Sequence, residues 1–136
     1  MSDSDPLEAN KALVRAYYDA FVTRCDLDAL DRLVAEDYFD HAAGKRLGRE
    51  GLKAYARTLR AAFSDFRLSI DDLVAESDRV AMRGTWDAVF TGPFRGIAPT
   101  GRPVHFTGMV FFRISEGRIA ERWAQIDLMK AITDGR

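Results

Sequence analysis

The sequence predicts an α+β domain in which three N-terminal helices pack on a curved antiparallel sheet. Three observations carry this. Apolar residues recur at helical spacing through the first half of the chain (Leu13, Val14, Tyr17 and Phe21, then Leu52, Tyr55, Ala56, Leu59 and Phe63). From about Phe66 they alternate with polar residues, the two-residue period of a half-buried strand. Two of the alternating runs carry a glycine in mid-run, Gly84 and Gly108, which weakens a flat strand but permits a bulge or sharp bend. Helices first and strands after are not a βαβ array. A strongly bent sheet wrapped around helices makes a cone, and its mouth is a natural ligand cavity.

Each element has its own signal. Asp5 suits an N-cap, Pro6 the first helical position and Glu8 the return bond of a capping box, so the first helix is expected from about Pro6 to Thr23. A shorter helix starts near Asp26, with Leu27, Leu30, Leu33 and Val34 on one face, and a third starts near Gly48. Phe66, Leu68 and Ile70 open the first strand, and Ser77-Asp78 turns it into the run Val80 to Phe90. Thr91 to Pro103 holds three glycines and three prolines and reads as a long hairpin loop. Val104 to Ile114 is a third strand. Ser115-Glu116-Gly117 turns it into a fourth, Arg118 to about Asp127, before a short apolar tail (Leu128, Met129, Ile132).

With 136 residues, 47% of them hydrophobic, the chain fits one domain over residues 1–136 with one packed core. A net charge of −1 gives no electrostatic case for nucleic acid or an anionic membrane surface. Cys25 is the only cysteine, so no intramolecular disulfide forms, as suits a reducing cytosol. The stretch Met1 to Asp5 is polar and acidic, unlike a signal peptide, and no apolar run approaches the roughly 20 residues that span a bilayer. A cytoplasmic location is therefore expected.

Three segments resemble a known family. Asn10 to Tyr18, Asp26-Leu27-Asp28-Ala29-Leu30 and Tyr38-Phe39-Asp40-His41 look like the opening of SnoaL-like polyketide cyclases and the related ester cyclases. Thr91-Gly92-Pro93-Phe94-Arg95-Gly96-Ile97-Ala98-Pro99-Thr100-Gly101-Arg102 resembles their T-G-x-F-x-G-x-x-P-T-G-[RK] loop. Phe112 to Trp123, with Asp127 beyond, is similar to their F-R-I-x-[DE]-G-[KR]-I-x-E-H-W-x-x-x-D ending. The likeness covers nearly the whole chain in order. It implies the cone of the nuclear transport factor 2-like (cystatin-like) fold, usually homodimeric, and a small hydrophobic molecule as partner. On function it implies less, because relatives on this fold include aldol-type cyclases, isomerases, epoxide hydrolases and non-catalytic binders. The chain also departs from the pattern. By ungapped count the acid/base aspartate of the antibiotic cyclases falls at Ala124, a histidine on the preceding strand at Val110, and the histidine before tryptophan at Arg122.

An aldol cyclase or keto–enol isomerase needs a base near a C–H acid and a group to hold the enolate oxygen, and no cofactor if both are protein groups. His41, titrating near neutrality when unperturbed, is the candidate base. Asp40 is its neighbour, but adjacent residues on an extended chain face opposite ways, so Asp127 is the better partner for His41. Arg122, flanked on its face by Ala120 and Ala124, could steady an enolate or a carboxylate; it could equally pair at a dimer surface. Tyr17, Trp86, Phe94, Met109 and Trp123 are candidates for the apolar lining, Tyr17 with a hydroxyl to offer a substrate carbonyl. Two histidines and one cysteine without close spacing do not suggest a metal.

Three functions stay open at this point. One is a cofactor-free cyclase or isomerase acting on a hydrophobic, carbonyl-bearing, polyketide-like substrate. Another is a non-catalytic binding or dimerisation domain that kept the cavity, favoured by the replaced acid/base positions. The third is an epoxide hydrolase, which needs an Asp–Arg–Asp set of which only Arg122 and Asp127 are evident.

Overall fold

In a computed structural model of the chain, residues 5–42, 44 and 47–134 are described. The reading of the first four residues as too polar for a signal peptide lies outside them. Asp5 caps α1 (Pro6–Tyr18), its carboxylate accepting from the Leu7 N–H at 3.0 Å. Glu8 does not close a capping box; it pairs with Lys11 one turn on. A single π-helical turn, Asp19–Thr23, carries the helix to its expected end. Asp26 then caps a short 3₁₀ turn, Leu27–Ala29, that runs into α2 (Leu30–Leu33).

Here the structure departs from the sequence reading. The chain leaves helix at Val34 and forms β1 (Val34–Asp40) instead of carrying the helical face onward. After α3 (Gly48–Ala62) come β2 (Phe63–Glu76), β3 (Arg79–Phe90), β4 (Pro103–Ser115) and β5 (Arg118–Ile126). The apolar tail is a helix, α4 (Leu128–Asp134). The sheet order is β1-β5-β4-β3-β2. The four expected strands form the antiparallel meander, and β1 adds to its edge in parallel with β5, so the curved sheet is mixed.

Gly84 and Gly108 prove to be cross-strand partners on β3 and β4, with no register shift between these two strands. One bulge lies opposite Gly84, in β2 between its partner Ile70 and Asp72; the others lie in β2 between Ser64 and Arg67, between β4 and β5 at Arg113/Ile114, and in the pairing of β1 with β5 between Val34 and Phe39. What the paired glycines provide is closeness, since a Cβ on Gly108 would stand 2.7 Å from the Gln125 carbonyl oxygen and 2.6 Å from Ile126. The inner face of the sheet packs on α1 and α3 through Val14, Tyr38, Phe63, Phe90 and Phe112, all fully buried. Each large apolar side chain so buried stabilises the fold by about 2–3 kcal/mol relative to exposure. Between the helices and the bend of the sheet the core is not filled, and a hollow remains.

Candidate active site

The parallel pairing of β1 with β5 builds the polar centre of the molecule. Asp40 and Arg122 are register partners on these strands, so their side chains leave the sheet on the same side. Arg122 Nη1 donates to Asp40 Oδ2 at 3.1 Å. The Ala42 N–H donates to Asp40 Oδ1 at 2.9 Å, and the Tyr38 hydroxyl, two residues back on the same strand face, donates to Oδ2 at 3.4 Å. The pair is nearly closed off from solvent, with side-chain exposures of 15% for Arg122 and 8% for Asp40.

Asp40 and Arg122 stand on the wall of a cavity of about 410 Å³, a size that suits a drug-sized ligand. The rest of the wall is mostly apolar: Phe21 and Val22 from the π-turn, Leu52 and Leu59 from α3, Phe66, Trp86 and Phe106 from the sheet, and Leu128 and Met129 from α4. Tyr17, Tyr18 and Tyr55 add hydroxyl groups. Two buried polar atoms of wall residues, the Tyr18 hydroxyl and Arg122 Nε, make no well-formed hydrogen bond among the described residues, although the Arg122 guanidinium lies near that hydroxyl and acts to lower its pKa. A buried donor left unpaired costs about 1–3 kcal/mol. Both are donors, and both belong to residues that face the hollow.

Burial raises the pKa of every tyrosine around this centre. It pushes Tyr18 up to about 12 against the opposing Arg122 charge, and Tyr17, Tyr38 and Tyr55 rise for the same first reason. On Arg122 burial acts the other way, but the neighbouring tyrosines and Asp40 outweigh it and hold the guanidinium charged. An unfolded tyrosine ionises near 10, so the stability tied to a neutral Tyr18 is complete below about pH 10 and is lost as pH rises through about 12. We therefore expect an alkaline titration followed at 295 nm to show almost no tyrosinate from the folded protein at about pH 10, where the urea-unfolded chain is half ionised. All four tyrosines should then ionise together with unfolding. Independent titration of two or more of them near 10 in the folded protein would contradict this burial.

The residues singled out in the sequence divide between two faces of the sheet. Arg122, Tyr17 and Trp86 line the cavity. The expectation that His41 and Asp127 look into the hollow beside Arg122 is corrected. Alternation along β1 sends Asp40 inward, and His41 beyond it turns to the outer face. There it stacks on Trp123 (4.5 Å between centroids, 8° between planes) and its Nε2 donates to Glu121 Oε2 at 2.7 Å. Glu121, also bonded by Arg113, has its pKa lowered by these partners, His41 first. Asp127 is exposed at the start of α4, where its carbonyl accepts from the Ala131 N–H. Trp123 belongs to the outer face with His41, and Met109 is 65% exposed there. Phe94 is buried in the core against Phe63 and is not part of the wall.

Asp40, Arg95 and Tyr55 are the wall residues the sequence reading passed over. Asp40 had a signal: Tyr38 and Asp40 share one face if the segment is a strand, and Phe39 and His41 the other. Reading Val34 as the end of a helical face hid that strand. Val110 and Ala124, where the family resemblance places a histidine and an acid/base aspartate, are register partners on β4 and β5. Ala124 lines the cavity with a methyl group. Among the described residues no three His, Cys, Asp or Glu side chains gather as metal ligands, and no helix is long and apolar enough to cross a membrane.

About nine-tenths of the chain superposes on known structures. TsrD from Streptomyces laurentii superposes with a TM-score of 0.81 at 28% identity, covering 90% of each chain. IdmH from Streptomyces antibioticus, provisionally described as a polyketide cyclase, gives 0.78 at 28% identity over 91% of this chain and 96% of its own. AclR from Streptomyces galilaeus, provisionally described as a hydroxylase, gives 0.75 at 26% identity over 90% of this chain and 77% of its own. No curated protein matches the sequence. The family model of the SnoaL-like polyketide cyclases matches residues 11–134, nearly the full chain. This protein belongs to the SnoaL-like polyketide cyclase family.

Proposed function

We propose that the protein is a cofactor-free enzyme of cyclase or isomerase type, acting by acid–base chemistry on a hydrophobic, carbonyl-bearing, polyketide-like molecule. One observation supports this above the others: a buried Asp40–Arg122 pair on an apolar cavity wall, with the Arg122 Nε and Tyr18 hydroxyl donors beside it making no well-formed hydrogen bond. In this reading Asp40 takes a proton from the carbon next to a substrate carbonyl. The C–H electron pair moves onto the carbonyl oxygen, which Arg122 Nε and the Tyr18 hydroxyl receive as an enolate. Arg122 has donors enough to hold Asp40 through Nη1 and the oxygen through Nε. The carbanion then takes the proton back from Asp40, or it adds to a second carbonyl of the same molecule, whose π pair moves onto its oxygen and accepts that proton from Asp40. Asp40 thus takes the part expected of His41, because it stands on the wall and His41 does not. The epoxide-hydrolase reading finds no support, since Asp127 lies off the wall.

The test is exchange of the α-protons of 2-tetralone, a small apolar ketone, into D₂O, followed by NMR. The protein should accelerate it at least about tenfold over an equal concentration of acetate. Bound ketone without acceleration would favour the second reading, a non-catalytic binder, for which the apolar Val110 and Ala124 speak.

A homodimer is part of the same proposal. The outer sheet face carries Met109 (65% exposed), Phe111 (54%) and Val74 (63%), and Trp123 is the cross-strand partner of Phe111. The doubly substituted Met109→Asp/Phe111→Asp protein should dissociate roughly 100-fold more readily, because it sets charges in a desolvated patch. Light scattering over a dilution series reads this. A wild-type protein that is monomeric at high concentration would remove the dimer.

A further inference from the structure

We infer that the cavity takes an amphipathic organic acid: an apolar body whose carboxylate lies at the mouth, held by Arg95. The inference rests on the acid–base reading for the orientation of the ligand, with its carbonyl end at Asp40 and Arg122.

The first support is charge. Among the described wall residues only Asp40, Arg95 and Arg122 are charged. Asp40 and Arg122 satisfy each other, so the wall keeps one positive charge, on Arg95. No carboxylate pairs with it among the described residues; its guanidinium carbon instead stands 5.1 Å from the centroid of the Phe94 ring. The second support is position. The wall residues open to solvent are Ala42, Arg95 and Met129, which places Arg95 at the mouth. Its charge still reaches inward, acting to lower the pKa of Tyr55, which burial raises.

The third support is backbone strain. Phe94 and Ile97 exchange both hydrogen bonds of a two-residue hairpin, at 3.0 and 2.9 Å. Arg95 and Gly96 are its central residues, with φ of 50° and 80°. This turn favours Asn, Asp or Gly at its first central position, where a longer side chain is strained. Arginine there breaks the local rule, and such breaks gather where a side chain must be presented to a ligand. The hairpin is a fixed mount. Phe94 is buried at its base, and the Thr91 and Gly92 N–H groups donate to the Ala62 carbonyl at the end of α3. A Cβ on Gly92 would lie 2.2 Å from the Ala61 carbonyl oxygen, so only glycine allows that close approach.

The experiment compares anthraquinone-2-carboxylate with its methyl ester by calorimetry, on the wild-type protein and on Arg95→Gln. The acid should bind wild type about tenfold more tightly than the ester, a preference that weakens in 0.5 M salt. In Arg95→Gln the two compounds should bind within about twofold of each other, with the ester unaffected. Equal binding of acid and ester to wild type, a preference that survives in Arg95→Gln, or binding of neither compound overturns the inference. Failure of the acid–base reading shows separately, in the exchange of 2-tetralone, which carries no carboxylate.

Discussion

Asp40→Asn is expected to lower the exchange of 2-tetralone α-protons by about 10²- to 10⁴-fold, the range associated with a positioned general base. The substitution preserves the shape of the side chain and an oxygen to accept from Ala42 or Arg122, but removes the proton acceptor. Asp40→Glu keeps the carboxylate and moves it by one methylene, so it should retain part of the activity with the geometry disturbed. His41→Ala is the matching control. His41 lies across the sheet from the hollow, stacked on Trp123 and bonded to Glu121, so its loss should leave exchange within about twofold of wild type. Circular dichroism would establish that each variant is folded. Near-normal exchange by folded Asp40→Asn, or its collapse in folded His41→Ala, would return the base to the outer face and end the reading built on β1.

Most of the architecture follows from local patterns that the structure obeys. The capped start of α1, the start of α3 at Gly48, and the turn at Ser77-Asp78 are set by residues within a few positions of each other. The alternation of β3 and β4 likewise needs only the sheet's inside and outside. β1 was not legible for a physical reason. Its pairing with β5 is parallel and spans about eighty residues, so no hairpin turn announces it. Leu30, Leu33 and Val34 satisfy a helical stripe as well as the approach to a buried strand. Asp40 and His41 face opposite ways on any extended chain, and only the pairing of β1 with β5 sets which of the two faces the cavity. Arg122 was legible: small neighbours on its own strand face mark the place where a long side chain or a ligand must fit. Arg95 was not, since a loop sequence does not tell which of its residues overhangs a cavity that only the tertiary fold creates.

Arg122→Met tests the centre from the side of stability. The variant keeps an unbranched side chain of similar length but leaves the Asp40 carboxylate buried with only the Ala42 N–H and the Tyr38 hydroxyl. Removing one member of a buried pair costs about 3–5 kcal/mol, chiefly because the other charge stays behind uncompensated. For a domain of this length that is a fall in Tm of about 10–15 °C. The double variant Asp40→Asn/Arg122→Met removes both charges. It should recover most of the loss, because two groups of suitable shape without charge cost little where the pair itself nearly breaks even against its desolvation. The cycle of the two single variants and the double one should thus show a coupling of at least about 1 kcal/mol in thermal or urea unfolding. Recovered stability with exchange still absent would mean that the pair is kept for its chemistry at a site where an apolar lining would fold as well. Strictly additive losses would mean that Asp40 and Arg122 do not act on each other, and the buried pair would then no longer serve as the organising feature of the cavity.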